Sequence, residues 1–242
     1  MNILLLMMGG KGERFGAKIP KQYVEIDKKP IFSYIVSGYD KSPEIHYTIL
    51  VSHCDWIDYV TEQMNALKAN TPWTVVAGGA NRSESVLNGL CSAKQIGNDE
   101  DVVLIHDATH PYVDLKGTSE VIQAVHEFGG ATLGAFQYDT MYQMNTDNVI
   151  EKVIPRRLIV SGASPEAFRL ADIYRIYSEA TFEELEKMTS AGAIALAHRI
   201  KMKVIPSNCL NLKITHAEDM GVFKCLCHTY FFDKSDLQTI RI

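Results

Sequence analysis

The chain has 242 residues, enough to bury one sizeable α/β core but short for a second large domain, so a single domain over 1–242 is expected. With Lys+Arg at 24 against Asp+Glu at 29, the net charge of -5 excludes a broad electrostatic footprint for nucleic acid, and any bound phosphate must be met by a local cluster of cations. The five cysteines are odd in number and lack paired metal-ligand spacing, which fits a reduced, cytoplasmic protein.

The first apolar run, residues 3–8, has the length of a strand, is far too short to span a bilayer and has no basic leader before it. It stops at Gly9-Gly10-Lys11-Gly12, the pattern of a central parallel strand feeding a ligand loop, and no membrane partner is expected. Pro30 suits a first helical position ahead of Ile31, Phe32, Tyr34 and Ile35, in a helix fading near Lys41-Ser42-Pro43. Residues 46–51 read as a strand, and Trp56, Ile57, Val60, Met64 and Leu67 follow at helical spacing with Asp55 as a candidate cap. Residues 73–76 give another strand, then Gly78-Gly79, then a helix over 82–94. Residues 102–105 are a further buried strand, ending at His106-Asp107 and followed by a helix marked by Val121, Ile122, Val125 and Phe128.

Strands alternating with helices imply βαβ units and a mostly parallel, Rossmann-like α/β sheet flanked by helices. Ligands in such sheets bind beyond the carboxyl ends of the strands, which singles out the loop after Met8, the turn at Gly78-Gly79 and His106-Asp107. The rhythm breaks over about 137–160, where two strand-like runs flank Asn145-Thr146-Asp147-Asn148, the pattern of a protruding β-hairpin. Ser164-Pro165 opens more helix in this reading, a second helical stretch covers 182–199, residues 202–206 and 212–214 are short strands, and residues 217–226 form a last amphipathic helix.

The segment from Gly9 to Lys21 packs glycines and the cations Lys11, Arg14, Lys18 and Lys21 into one loop after a strand. Glycines let backbone amides approach phosphate oxygens, and the cations can neutralise a triphosphate. The loop is neither a dinucleotide fingerprint, since Phe15 stands where a third glycine should, nor a P-loop, since Gly-Lys-Ser/Thr is absent. A structural turn is the rival reading.

This loop, with Arg14 and Pro20-Lys21-Gln22-Tyr23, resembles the signature of the methylerythritol-phosphate and ribitol-phosphate cytidylyltransferase family. The resemblance extends in order through residues 78–86, Ile105-His106-Asp107-Ala108, Asp139-Thr140 with Arg156, and Asn211-Leu212-Lys213-Ile214-Thr215. It implies transfer of CMP from CTP to the phosphate of a small sugar alcohol, with release of pyrophosphate. Arg14 and Lys21 match the cationic pair that acts on the transition state; Met8, Gly9, Gly10, Lys11, Gly12, Gly79, Ala80, Arg82 and Ser85 match nucleotide-binding positions. Asp107 matches the ligand of Mg²⁺, the implied cofactor, and His110, Thr140, Arg156 and Lys213 stand at acceptor-binding positions. The family's exchanged arm implies a homodimer through the hairpin. Without the resemblance, Arg14, Lys21, Arg156 and Lys213 read as solvated charges, Asp107 as a cap and Ser85 as an ordinary helix residue. His106 reads as a packed, hydrogen-bonded histidine, because an acceptor phosphate is already largely ionised at neutral pH.

The chain departs from the pattern at His110, where arginine is usual, and at Met8, where alanine is usual. Ser164-Pro165-Glu166 replaces Thr-Pro-Gln, and acids are missing after Thr189. Asp55-Trp56, Ala80 and the long stretch from Tyr174 to Leu196 lean toward the ribitol-phosphate branch. Three alternatives stay open: an impaired nucleotide-binding relative, a transferase using another nucleoside triphosphate, and an NAD-dependent dehydrogenase, the last disfavoured because Leu50-Val51-Ser52-His53 ends without an acid.

Overall fold

The computed structural model describes residues 1–10, 19–207 and 209–227. In chain order the elements are β1 (Asn2–Met8), β2 (Glu25–Ile26), β3 (Lys29–Pro30), α1 (Ile31–Tyr39), β4 (Tyr47–Ser52), α2 (Ile57–Leu67), β5 (Trp73–Ala77), α3 (Arg82–Ile96), β6 (Val102–Asp107) and α4 (Leu115–Phe128). They continue with β7 (Gly129–Phe136), β8 (Met141–Met144), β9 (Ile150–Ile154), β10 (Val160–Arg169), α5 (Leu170–Glu179), α6 (Phe182–Lys187), α7 (Ala191–Ala197), β11 (Lys201–Pro206) and α8 (Ala217–Cys227).

Seven strands form one sheet in the order β11-β7-β10-β6-β1-β4-β5. β5, β4, β1 and β6 pair in parallel, β7 and β11 likewise, and β10 alone runs antiparallel to both of its neighbours. The mostly parallel sheet expected from the sequence is therefore present. Alternate side chains of β1 face opposite sides, as the pleat requires. Leu4, Leu6 and Met8 join Phe32, Ile35 and Val36 of α1, Val60 and Met64 of α2 and Val121 and Val125 of α4 on one face. Ile3, Leu5 and Met7 join Val86 and Leu90 of α3, Ile173 and Ile176 of α5 and Ile194 of α7 on the other. A run that is buried on both faces reads as continuously apolar, which is why residues 3–8 carried no alternation. A third cluster packs Ile26, Ile31, Tyr34 and Tyr112 against Ile214, Phe223 and Cys227, tying α8 to the segment around β2, β3 and α1.

Several sequence expectations need correction. Ser164-Pro165 lies inside β10, not in a helix: the strand continues to Arg169, with its register shifted between Ala163 and Glu166, and Phe168 packs under the sheet. The stretch over 182–199 is two short helices, because Met188 leaves the helical region and Ser190 caps a new start at Ala191. Residues 212–214 pair with no strand among the described residues; Ile214 N donates to Thr109 O at 2.8 Å and Leu212 N to Leu210 O at 3.0 Å. β7 had no sequence signal of its own, since glycine and alanine dilute its apolar pattern. Pro30 precedes α1 as its cap, and His53 rather than Asp55 caps the turn before α2. In the segment 137–160, β8 and β9 pair antiparallel about a turn in which Asn145 Oδ1 accepts from the amides of Asp147 and Val149, each at 3.0 Å.

Candidate active site

The carboxyl ends of β1, β4, β5 and β6 lie side by side because these four strands are adjacent and parallel. Beyond them opens a cleft of about 1130 Å³ lined by Met8, Gly9, Gly10, Lys21, His53, Cys54, residues 78–82, Ser85, Asp107, Thr109, Thr189, Lys213 and Thr215. Small-molecule pockets typically span about 300–1,000 Å³, so the cleft is amply large for a small ligand.

The segment 20–23 stitches the first loop. Gln22, buried, donates from Nε2 to the carbonyls of Met8 (2.7 Å) and Gly10 (2.8 Å). Tyr23 donates from its hydroxyl to Met8 O at 3.0 Å, shares a 2.9 Å bond with Ser52 Oγ and stacks on Trp56 at 4.6 Å. These bonds pin the end of β1 and hold Lys21, on the same 3₁₀ turn, at the cleft. Sequence reasoning used Gln22 and Tyr23 only as part of a signature; two carbonyl-capping bonds from one amide are visible only in three dimensions. Met8 is only 2% exposed and packs in the core cluster that holds Tyr23, which accommodates its larger side chain. Lys11, Gly12 and Arg14 lie outside the described residues.

The second segment is organised by Ser85. Its Oγ accepts from Gly79 N (3.0 Å), donates to Asn81 O (2.8 Å), and sits where a side chain on Gly9 or Gly78 would collide with it, at 3.0 and 2.9 Å. A Cβ on Gly79 would meet Glu84 Cβ at 2.2 Å. Asn81 caps α3 by accepting from Glu84 N, and Glu84 Oε2 accepts from Ala80 N at 2.8 Å. With the amides of Gly79 and Ala80 thus engaged, this turn has carbonyl oxygens to offer a base edge.

Asp107 ends β6 between two cations: Oδ1 is 3.1 Å from Arg82 Nη2, and Oδ2 is 3.7 Å from Lys213 Nζ. Burial alone would raise its carboxyl, yet Arg82 and then Lys213 hold it below the ordinary carboxylate value. Glu166 of β10 is half-buried near the same Arg82; desolvation raises its pKa despite the guanidinium and the amides of Ala191 (3.1 Å) and Gly192 (3.0 Å) that it accepts from. His106 is buried, with Nδ1 2.8 Å from Tyr39 Oη and Nε2 2.8 Å from His110 O. A carbonyl can only accept, so Nε2 carries the proton and Nδ1 accepts from the tyrosine. Burial lowers its pKa to about 4. Both ring nitrogens are used, as suits a packed neutral histidine.

The acceptor candidates separate. Lys213 lines the cleft. His110 is buried beside it and lines a separate small cavity with Tyr112, Asp114 and Asn211. Thr140 and Arg156 are exposed next to β8 and β9, where Arg156 Nη1 donates to Tyr138 O, and neither lines the cleft. Thr109, Thr189 and Thr215 line it too; Thr215 closes the late motif and Thr189 belongs to the family pattern, whereas Thr109 carried no sequence signal of its own.

Comparison with known proteins agrees with this geometry. The ribitol-5-phosphate cytidylyltransferase of Streptococcus agalactiae serotype Ia is 29% identical over 227 residues, covering 93% of this chain and 95% of that protein. The 2-C-methyl-D-erythritol 4-phosphate cytidylyltransferase of Thermotoga neapolitana is 31% identical over 228 residues, covering 93% and 96%. In fold, the crystal structure of 4-diphosphocytidyl-2C-methyl-D-erythritol synthase from Anaerococcus prevotii superposes with a TM-score of 0.79 at 20% identity, covering 94% of this chain and 96% of that one. Residues 2–227 match the family description of 2-C-methyl-D-erythritol 4-phosphate cytidylyltransferase, IspD, and the chain belongs to that family.

Proposed function

We propose that this protein transfers the cytidylyl group of CTP to the phosphate of a sugar alcohol of the ribitol 5-phosphate or 2-C-methyl-D-erythritol 4-phosphate type. The observation that carries the reading is the convergence of Lys21, Arg82, Asp107 and Lys213 on one cleft at the carboxyl ends of four parallel strands, in a member of a cytidylyltransferase family. In such a transfer an acceptor phosphate oxygen attacks the α-phosphorus of CTP, the bond to the β-phosphate oxygen breaks, and pyrophosphate leaves. Negative charge gathers at the α-phosphate, so fixed cations there lower the barrier. Lys21 takes that role, jointly with Arg14 by family resemblance. Gly9 and Gly10 admit the triphosphate to the backbone, and Ser85 with the carbonyls at Gly79 and Ala80 faces the base.

The acceptor phosphate is largely dianionic at neutral pH and needs no general base, in keeping with the committed nitrogens of His106. Lys213 grips it from within the cleft. Asp107 is the proposed protein ligand for Mg²⁺: one carboxylate beside a phosphate-binding cleft, the rest of the shell coming from phosphates and water, is the usual arrangement for this ion. When bound, the ion supplies charge neutralisation on the phosphates. Arg82, now paired with Asp107, is then the cation free to turn to the nucleotide.

Arg156 sits too exposed to act within its own cleft. We assign it to the acceptor site of a second subunit, with the hairpin of β8 and β9 as a dimerisation arm. The reading is supported by the solvent-facing apolar side chains gathered on and beside this hairpin: Tyr138, Tyr142, Met144, Ile150, Val153 and Leu158. No helix among the described residues is long and apolar enough to cross a membrane. The cysteines there form no disulfide, which supports a reducing, cytoplasmic setting as the proposal. Purified protein with Mg²⁺ and CTP should release pyrophosphate when given ribitol 5-phosphate or methylerythritol phosphate, and not when given the unphosphorylated alditols. Equal rates with UTP in place of CTP would move the protein to another nucleotide class, and CTP binding without turnover on any acceptor would favour an impaired relative.

A further inference from the structure

Three consecutive side chains at the rim of the cleft form a donor set that cytidylyl transfer leaves unused. His53, Cys54 and Asp55 follow β4 on and before one 3₁₀ turn, and one donor atom from each lies within 4.8 Å of the other two. Cys54 Sγ is 3.8 Å from His53 Nδ1 and 3.4 Å from Asp55 Oδ1, and His53 Nδ1 is 3.6 Å from Asp55 Oδ2. Tetrahedral zinc binds sulfur at about 2.3 Å and nitrogen or oxygen at about 2.0–2.2 Å, which sets ligand-to-ligand edges of roughly 3.3–3.7 Å. The sulfur–nitrogen edge is close to that range, and with a single Asp55 oxygen the three donor atoms stay within 4.8 Å of one another, so closing on an ion needs side-chain adjustment.

The turn that presents these donors is anchored from below. His53 N donates to the buried Tyr23 hydroxyl at 3.3 Å, Ser52 Oγ donates to His53 O at 3.1 Å, and Trp56 stacks on Tyr23. His53 and Cys54 line the cleft, while the side chain of Asp55 is 77% exposed on its outer side. A sulfur and an imidazole among three ligands select a soft or borderline cation and disfavour Mg²⁺, which takes oxygen ligands.

We propose that His53 Nδ1, Cys54 Sγ and one carboxylate oxygen of Asp55 bind a single thiophilic divalent cation of the zinc class, with a fourth position open toward the cleft. Binding releases the thiol proton to solvent. It also takes the Nδ1 lone pair that now accepts from Asp55 N at 3.3 Å, and water can replace that acceptor because the turn is exposed. The site is separate in chemistry from Asp107, whose lone carboxylate suits a hard ion.

The test uses the full chain, reduced and stripped of metal, dialysed against Zn²⁺ in competition with a chromophoric chelator, with Co²⁺ as a spectroscopic probe. The wild type should hold one more equivalent of zinc than Cys54→Ala, and the thiolate-to-cobalt charge-transfer band of the wild type should be absent from Cys54→Ala. His53→Gln should weaken zinc binding about ten-fold or more. Cys91→Ala, at an exposed thiol elsewhere, should match the wild type. Should Cys54→Ala prove unstable, Asp55→Asn at its solvent-facing position serves the same comparison. Equal zinc stoichiometry and affinity in the wild type and these site variants, or displacement of Zn²⁺ by equimolar Mg²⁺, would overturn the proposal.

Discussion

In the proposed function Lys21 serves the donor and Lys213 the acceptor, and kinetics can separate the two roles. Removing a transition-state donor typically costs about 3–4 kcal/mol, so Lys21→Ala should lower kcat on the order of 10²-fold or more while KM for CTP changes little. Lys213→Ala should raise KM for the acceptor and spare KM for CTP. An unchanged kcat in the first variant, or a shifted CTP term in the second, removes the assignment. His106 sets a pH limit on stability. Its pKa is near 4 in the fold, against 6.5 as the ordinary value, so between those values the unfolded chain binds more protons and stability falls as pH drops. Above pH 6.5 this group contributes no slope. At pH 5 the loss from His106 should be about 2 kcal/mol, and His110, lowered chiefly by burial, steepens the same limb. Urea midpoints of the metal-free protein should therefore drop between pH 7 and pH 5 by more than those of His106→Gln; parallel curves would contradict a buried neutral histidine.

Among the elements, α7 shows how two departures from the family pattern meet. Thr189-Ser190-Ala191 carries no acid at the start of this helix, yet the carboxylate of Glu166, which stands where glutamine is usual, accepts from the amides of Ala191 and Gly192. The negative charge that suits a helix start arrives from β10 instead of from the helix itself. Hydrogen bonds to a charged group are worth about 1.5–3 kcal/mol each. Set against the desolvation of this carboxylate, the two bonds leave a smaller net gain, and Glu166→Ala should lower stability by about 2–3 kcal/mol in thermal unfolding, whereas no loss would mean that Ser190 alone caps the helix. Such a pairing was illegible in the sequence because its halves lie on different elements. The strands over 3–8, 46–51 and 102–105 were legible, since burial on both faces leaves an unbroken apolar run and glycine or aspartate marks its end. β10 was misread because Ser164-Pro165 is a common helix opening, and only pairing with β6 and β7 makes it extended. The cleft itself was read from the carboxyl-end rule and from Lys21, Gly79, Asp107 and Lys213, but the stitching by Gln22 and Tyr23 depends on contacts that no spacing encodes.

At the scale of the whole molecule, the chain gathers Lys21 and Lys213 on one cleft, and Arg156, the other cation assigned to the acceptor in the proposed function, stands on an exposed hairpin. Tyr138 and Leu158 beside it are 82% and 74% exposed, an arrangement that water disfavours and a second copy would cover. Leu158→Asp combined with Val153→Asp should shift sedimentation from dimer to monomer and lower activity in step; a wild type that sediments as a monomer at full activity would contradict the composite site. The central claim is the transfer of CMP onto an alditol phosphate, and ³¹P NMR of one reaction mixture tests it most directly. With CTP, Mg²⁺ and ribitol 5-phosphate or methylerythritol phosphate, the acceptor's phosphomonoester resonance should be replaced by a pyrophosphate diester pair as free pyrophosphate grows in equal amount. Persistence of intact CTP with both acceptors, or CMP and pyrophosphate forming while the acceptor resonance stays unchanged, would contradict the account.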